Sequence, residues 1–103
     1  MKYQKRIAYS AHRDIAEIKL YISKDKPNAA SKMANKIYAS FDLLQENPHI
    51  GGSVDKKFGI ETDYLFWVVS PYIVFYKLED DFVGIYRVLD SRSDYLVTLG
   101  VKK

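Results

Sequence analysis

The chain has 103 residues, 48% hydrophobic and 28% charged, a balance that excludes intrinsic disorder and suits one domain spanning 1–103. It has no cysteine, which removes disulfides, thiolate metal sites and a cysteine nucleophile together. Sixteen Lys and Arg against thirteen Asp and Glu leave a net charge of +3, a mild basic excess that suits a nucleic-acid partner without specifying one.

The N-terminal stretch Met1 to Arg6 is polar and basic with no apolar segment behind it, so a cytoplasmic location is expected. The longest charge-free apolar run, Tyr64 to Tyr76, is interrupted by Ser70 and Pro71 and is too short to cross a bilayer. No membrane contact is expected.

In chain order, Ile7 and Tyr9 alternate with polar neighbours, which predicts a short strand over Tyr3 to Tyr9. Ser10 suits an N-cap, and Ala11, Ile15, Ile18 and Ile22 then line one face of a helix running to about Lys24. Asp25 to Asn28 is the turn. With Asn28 as cap, a second helix carries Ala30, Met33, Ala34, Ile37, Phe41 and Leu44 as its apolar stripe and ends before Pro48. A short link between helices makes an antiparallel hairpin.

A turn-rich segment, Asn47 to Ser53, separates this helical half from a β-rich half. Thr62 to Val69, Tyr72 to Leu78 and Phe82 to Leu89 predict three strands, joined by Ser70-Pro71 and by Glu79-Asp80-Asp81. Links that short imply an antiparallel meander. The fold class is therefore α+β, with the helix hairpin on one face of the sheet. Tyr64 to Val69 are all apolar or amphipathic, so both faces need cover, and beyond the helices only the tail from Asp90 to Lys103 is left to supply it. An exposed aromatic face is thus a candidate partner surface.

Strand, helix hairpin, three-stranded meander and short polar tail, in that order, resemble the RelE/ParE superfamily of toxins from bacterial type II toxin-antitoxin systems. The resemblance rests on Ala11-His12-Arg13-Asp14-Ile15-Ala16-Glu17-Ile18 with Tyr21-Ile22, Leu44 to Pro48 followed by Gly51, Tyr72 to Tyr76, and the block Ile85 to Tyr95, which contains Arg87-Val88-Leu89, Arg92 and Asp94-Tyr95. It implies growth arrest by one of two routes. Some members inhibit DNA gyrase by binding; others are ribosome-dependent endoribonucleases that cut messenger RNA. It also implies a cognate antitoxin, whose wrapped segment would cover the aromatic face. In the RNA-cleaving members an arginine lies on the strand that here reads Tyr72 to Tyr76, and the matching position is Ile73. That departure favours the gyrase-binding branch, with the ribonuclease and an inactive interaction domain of the same fold as alternatives.

A metal-free ribonuclease needs a base, cations for the phosphate charge and an acid. The candidates are Arg87, Arg92 and Tyr95. Arg87 either serves directly or fastens the tail through Asp90 or Asp94; Arg92 contacts a phosphate or an acidic partner, or is simply solvated; Tyr95 is an acid, a stacking ring or a packing residue. Lys56 and Lys57, in the loop before the sheet, are candidate nucleic-acid or target contacts with Arg92, or solvated lysines. Phe66, Trp67 and Tyr72 are candidate anchors for an antitoxin or for a second copy of the chain. Adjacent strand residues face opposite ways, so Phe66 and Trp67 must part. No cofactor is expected, and no cluster has metal-ligand spacing.

Overall fold

The computed structural model describes residues 3–103; Met1 and Lys2, which head the basic N-terminal stretch, lie outside the described residues. Strand β1 (Gln4–Ile7) is followed by helices α1 (Tyr9–Ser23) and α2 (Pro27–Glu46). Then come β2 (Gly52–Ser53), α3 (Val54–Phe58), β3 (Leu65–Val69), β4 (Tyr72–Glu79), β5 (Phe82–Asp90) and α4 (Tyr95–Thr98). The strands form one sheet in the order β1-β5-β4-β3-β2. β3, β4 and β5 make the expected antiparallel meander. The sheet as a whole is mixed, because β1 pairs parallel with β5 from Gln4 opposite Phe82 to Ile7 opposite Ile85. A parallel pair needs a long crossover, and the helix hairpin is part of that connection.

Both helices bury the stripes read from their spacing: Ala11, Ile15 and Ile18 on α1, and Ala34, Ile37, Phe41 and Leu44 on α2. The caps differ from expectation. α1 begins at Tyr9 with no side-chain cap, and Ser10 instead donates its hydroxyl to the Tyr86 carbonyl at 2.7 Å. That carbonyl lies just beyond the residues of β5 that β1 pairs with, so a tertiary acceptor outcompetes local capping. Asn28 lies inside α2, which starts one residue earlier because Pro27 has a helical φ preset and no N–H to satisfy. α2 ends at Glu46, as the following Asn47-Pro48 requires.

The helices cover one face of the sheet through Val69, Tyr72, Val74, Tyr76, Val83, Ile85 and Val88. The other face carries a second cluster of Val54, Ile73 and Phe75, packed by Phe58, Phe66, Leu89, Tyr95, Leu96 and Leu99. The expected bare aromatic face is therefore partly closed by the chain's own α3 and α4. Phe66 and Trp67 part as predicted, Phe66 toward the second cluster and Trp67 toward the helices. Lys56 and Lys57 belong to α3 rather than to a loop. The Ser53 hydroxyl accepts the Lys56 N–H at 3.2 Å, and Gly59 (φ 67°) closes the helix in the left-handed region.

The turn before β2 is pinned from inside. The buried Tyr76 hydroxyl donates to the Pro48 carbonyl at 3.0 Å and accepts the Gly51 N–H at 3.1 Å. Only glycine fits there, since a Cβ on Gly51 would collide with that hydroxyl and approach the Phe66 carbonyl oxygen to 2.6 Å.

Phe41 is fully buried at the centre of the larger cluster. Phe41→Ala is expected to cost about 3–5 kcal/mol through lost transfer energy and an unfilled cavity, read as a lower urea midpoint at unchanged m-value.

Candidate functional site

β1 stops at Ile7, opposite Ile85, while β5 runs on to Asp90. The outer edge of β5 from Tyr86 onward consequently has no strand beside it, and its peptide groups need other partners. α1 supplies them. Besides the Ser10 bond, Asp14 Oδ2 accepts the Val88 N–H at 2.9 Å and the Arg87 Nε–H at 2.8 Å, while Oδ1 accepts from Arg87 Nη2 at 2.9 Å. Of the two readings open for Arg87, a direct role or an ion pair with Asp90 or Asp94, the structure shows an ion pair but with Asp14; next to it a bulge shifts the register, Ile85 pairing with Tyr76 and Arg87 with Phe75, which leaves Tyr86 as the extra residue. Asp14 is only 5% exposed, and its carboxylate raises the Arg87 pKa through the paired hydrogen bonds.

The tail turns at Asp90. The Arg92 N–H and Nε–H both donate to Asp90 Oδ1, at 2.8 and 3.0 Å, and Nη2 donates to Oδ2 at 2.7 Å. These bonds hold the Asp90 carboxyl below its usual range. Ser93 donates its N–H and hydroxyl to the Asp90 carbonyl at 3.0 and 2.6 Å. Between α1 and this turn lies an open cavity of about 460 Å³, lined by Glu17, Tyr21, Tyr72, Arg87, Asp90 and Arg92 among others. Burial, then the Asp90 charge, raises the Tyr72 pKa.

Cations lie over aromatic rings in three further places. Lys77 Nζ is 4.5 Å from the Tyr64 ring centroid and 5.7 Å from that of Tyr86, Lys57 Nζ is 5.2 Å from Phe66, and the Arg6 guanidinium is 3.9 Å from Phe82. The Tyr86 ring lies across Gly84, where a Cβ would come within 2.8 Å of it, and its hydroxyl donates to Glu79. That bond, with burial second, pushes the Tyr86 pKa up to about 12.

The candidates read from sequence are thus dispersed. Arg87 and Arg92 meet in the cavity, each already paired with a carboxylate. Tyr95 stands apart in the second cluster, its ring 5.4 Å from Phe75 and 6.1 Å from Phe58. Lys56 and Lys57 are exposed on α3. Phe66 and Trp67 are half-buried on opposite faces, and Tyr72 is buried under the helices, so its ring offers no partner a free surface. Asp14 and the Tyr86–Glu79 pair were missed. Asp14 was legible in principle: it sits between Ala11 and Ile18 on the apolar stripe, where an acid must be buried and hence partnered. Among the described residues no group of three or more His, Cys, Asp or Glu could hold a metal ion, and no helix is long and apolar enough to cross a membrane.

The family model for the ParE toxin of the type II toxin-antitoxin system parDE matches residues 6–95. The chain belongs to this ParE toxin family. No curated protein sequence matches it significantly. Among solved structures, the ParE-family chain resembles one from the chromosomal ParDE toxin-antitoxin system of P. aeruginosa, with a TM-score of 0.74 at 14% identity, covering 86% of this chain and 96% of that one. It also resembles a chain of the toxin-antitoxin complex RelBE2 from Mycobacterium tuberculosis, with a TM-score of 0.57 at 19% identity, covering 87% and 92%. At these identities the structures confirm the RelE/ParE-like α+β fold alone, while the family match makes this chain a type II toxin.

Asp14→Ala leaves the Val88 N–H and the Arg87 guanidinium without their acceptor and is expected to cost about 2–3 kcal/mol in urea unfolding. Asp14→Asn, which keeps an acceptor but not the charge, should cost less. The Tyr86 phenol is pushed up from its ordinary 10.0 to about 12. The stabilising contribution of this bond is therefore complete below pH 10 and is lost as pH rises through 12. Glu79→Gln should return the Tyr86 titration, followed by ultraviolet absorbance against Tyr86→Phe, toward 10.0.

Proposed function

We propose that this toxin arrests growth by binding DNA gyrase in the cytoplasm, as the ParE-like members that it resembles do, and that a cognate antitoxin neutralises it. The observation that carries this reading is the engagement of Arg87, whose guanidinium is forked onto the buried carboxylate of Asp14. A ribonuclease must present cations to the charge developing on the phosphate, and a cation already neutralised by a buried acid offers little more. The rest of the candidate machinery supports the same view. Arg92 is forked onto Asp90, Tyr95 is packed among apolar residues, and Ile73, at the position of the RNA-cleaving members' arginine, is buried in the second cluster. A binding toxin needs no such constellation.

Two measurements test this. Purified chain is expected to inhibit supercoiling by gyrase in a dose-dependent way. Primer extension on translating ribosomes is expected to show no new cleavage sites. Cleavage that disappears in Arg87→Ala or Tyr95→Phe, with supercoiling intact, would transfer the chain to the ribonuclease branch.

A further inference from the structure

The cavity between α1 and the Asp90 turn is left with an excess of negative charge by its own ion pairs. Its ionised lining residues are Asp14, Glu17 and Asp90 against Arg87 and Arg92. Asp14 neutralises Arg87 and Asp90 neutralises Arg92, each through a fork of hydrogen bonds. Glu17 is the acid without a counterion. Among the described residues it belongs to no ion pair, and it is exposed. Its charge reaches across to Arg87, whose pKa it raises together with Asp14.

An independent observation concerns Tyr72, which is only 5% exposed and whose ring is held in the larger cluster. No described residue hydrogen-bonds its hydroxyl, whereas the buried Asp14, Ser40 and Tyr76 side chains are all bonded. A buried phenol ordinarily finds a partner. Every side-chain nitrogen or oxygen sealed inside the described structure has one, so the unbonded Tyr72 hydroxyl opens onto the cavity that Tyr72 lines. The charges acting on it, those of Asp90 and Arg92, lie in the same lining. Tyr21, four residues beyond Glu17 and so on the same face of α1, adds a ring that is 66% exposed.

We propose that this cavity binds a small organic cation of the guanidinium class, which donates N–H bonds to the Glu17 carboxylate and the Tyr72 hydroxyl and stacks on the Tyr21 ring. A guanidinium carries its donors in one plane, so it can serve a carboxylate and a second acceptor together, and its weak hydration lets it lie on an aromatic face. An ammonium brings the charge without the plane. An anion would meet Glu17 unopposed, since both arginines are already paired. The volume of about 460 Å³ is that of a small-molecule site. The site is independent of which cellular target the toxin binds.

The test titrates the full chain with four probes, butylguanidinium, butylammonium, butylurea and butyrate, followed by calorimetry and by the nuclear magnetic resonance signals of the Tyr72 ring. Butylguanidinium is expected to saturate one site, to shift the Tyr72 ring signals and to bind more tightly than butylammonium, with butylurea and butyrate weaker than either. Glu17→Gln, at an exposed position, should weaken it about two- to five-fold, the range of an exposed ion pair. Tyr72→Phe, which keeps the buried ring, should weaken it about two- to ten-fold, the range of one neutral hydrogen bond. Neither variant removes a bond within the chain, so both urea midpoints should stay near that of the parent; should Tyr72→Phe fail to fold, Glu17→Gln and the Tyr72 signals of the parent decide alone. Butylguanidinium that binds the parent and Glu17→Gln equally well, or that leaves the Tyr72 signals in place, would overturn the site. Butylammonium or butyrate binding as tightly as butylguanidinium would overturn the ligand class. These readouts hold whether or not gyrase is inhibited.

Discussion

Everything at the centre of this molecule turns on a shortage of strand. β1 supplies only four residues to the edge of a nine-residue β5, and a buried peptide group without a partner costs about as much as a lost hydrogen bond. Asp14 resolves the shortage. Its carboxylate reaches from α1 to the backbone of β5 and closes a forked pair with Arg87 in the same place. One side chain thereby ties α1 to the strand beside the bulge at Tyr86 and pairs with one of the two arginines that line the cavity. The arrangement also constrains evolution of the site: Arg87 cannot be released for chemistry without unpairing a buried acid and an edge amide.

The second face answers a different constraint, that of covering two apolar surfaces with few residues. α2, at twenty residues, and α1, at fifteen, fill one side. On the other the chain uses fragments, the five residues of α3 and the four of α4, to shield Ile73 and Phe75. Tyr95 is central to that patch, and its ring contacts with Phe75 and Phe58 account for it as a packing residue. What stays open is the periphery, where Lys57, Lys77 and Arg6 lie over rings, and the outer edge of β3.

How much of this was legible depended on whether the deciding partner was near in sequence. Periodicity placed both long helices to within a turn, since the apolar stripe that defines each is contained in the segment itself. Pro48 ended α2, and strand alternation separated Phe66 from Trp67. The short helices were invisible, because five residues show no periodicity; yet Ser53 and Gly59, which cap α3, stood in the sequence as local signals. Where Arg87 is read as ion-paired, the acids nearest along the chain, Asp90 and Asp94, are its candidate partners, whereas the structure brings Asp14 to it from a separation of 73 residues. Proximity in sequence is a poor guide to ion pairing across a sheet.

The α+β class, the order of the major elements and a resemblance to RelE/ParE toxins that the family match upholds are legible from the residues alone. Those properties follow from local patterning: the period of apolar residues, the turn at Asn47 to Ser53 and the spacing of the terminal block. Packing in three dimensions settles that β1 joins the sheet in parallel, that Arg87 pairs with Asp14 and that Lys36 and Val68 line one recess. Each of these depends on where a strand stops relative to its neighbour. Register is a relation between distant segments, and no single segment carries it.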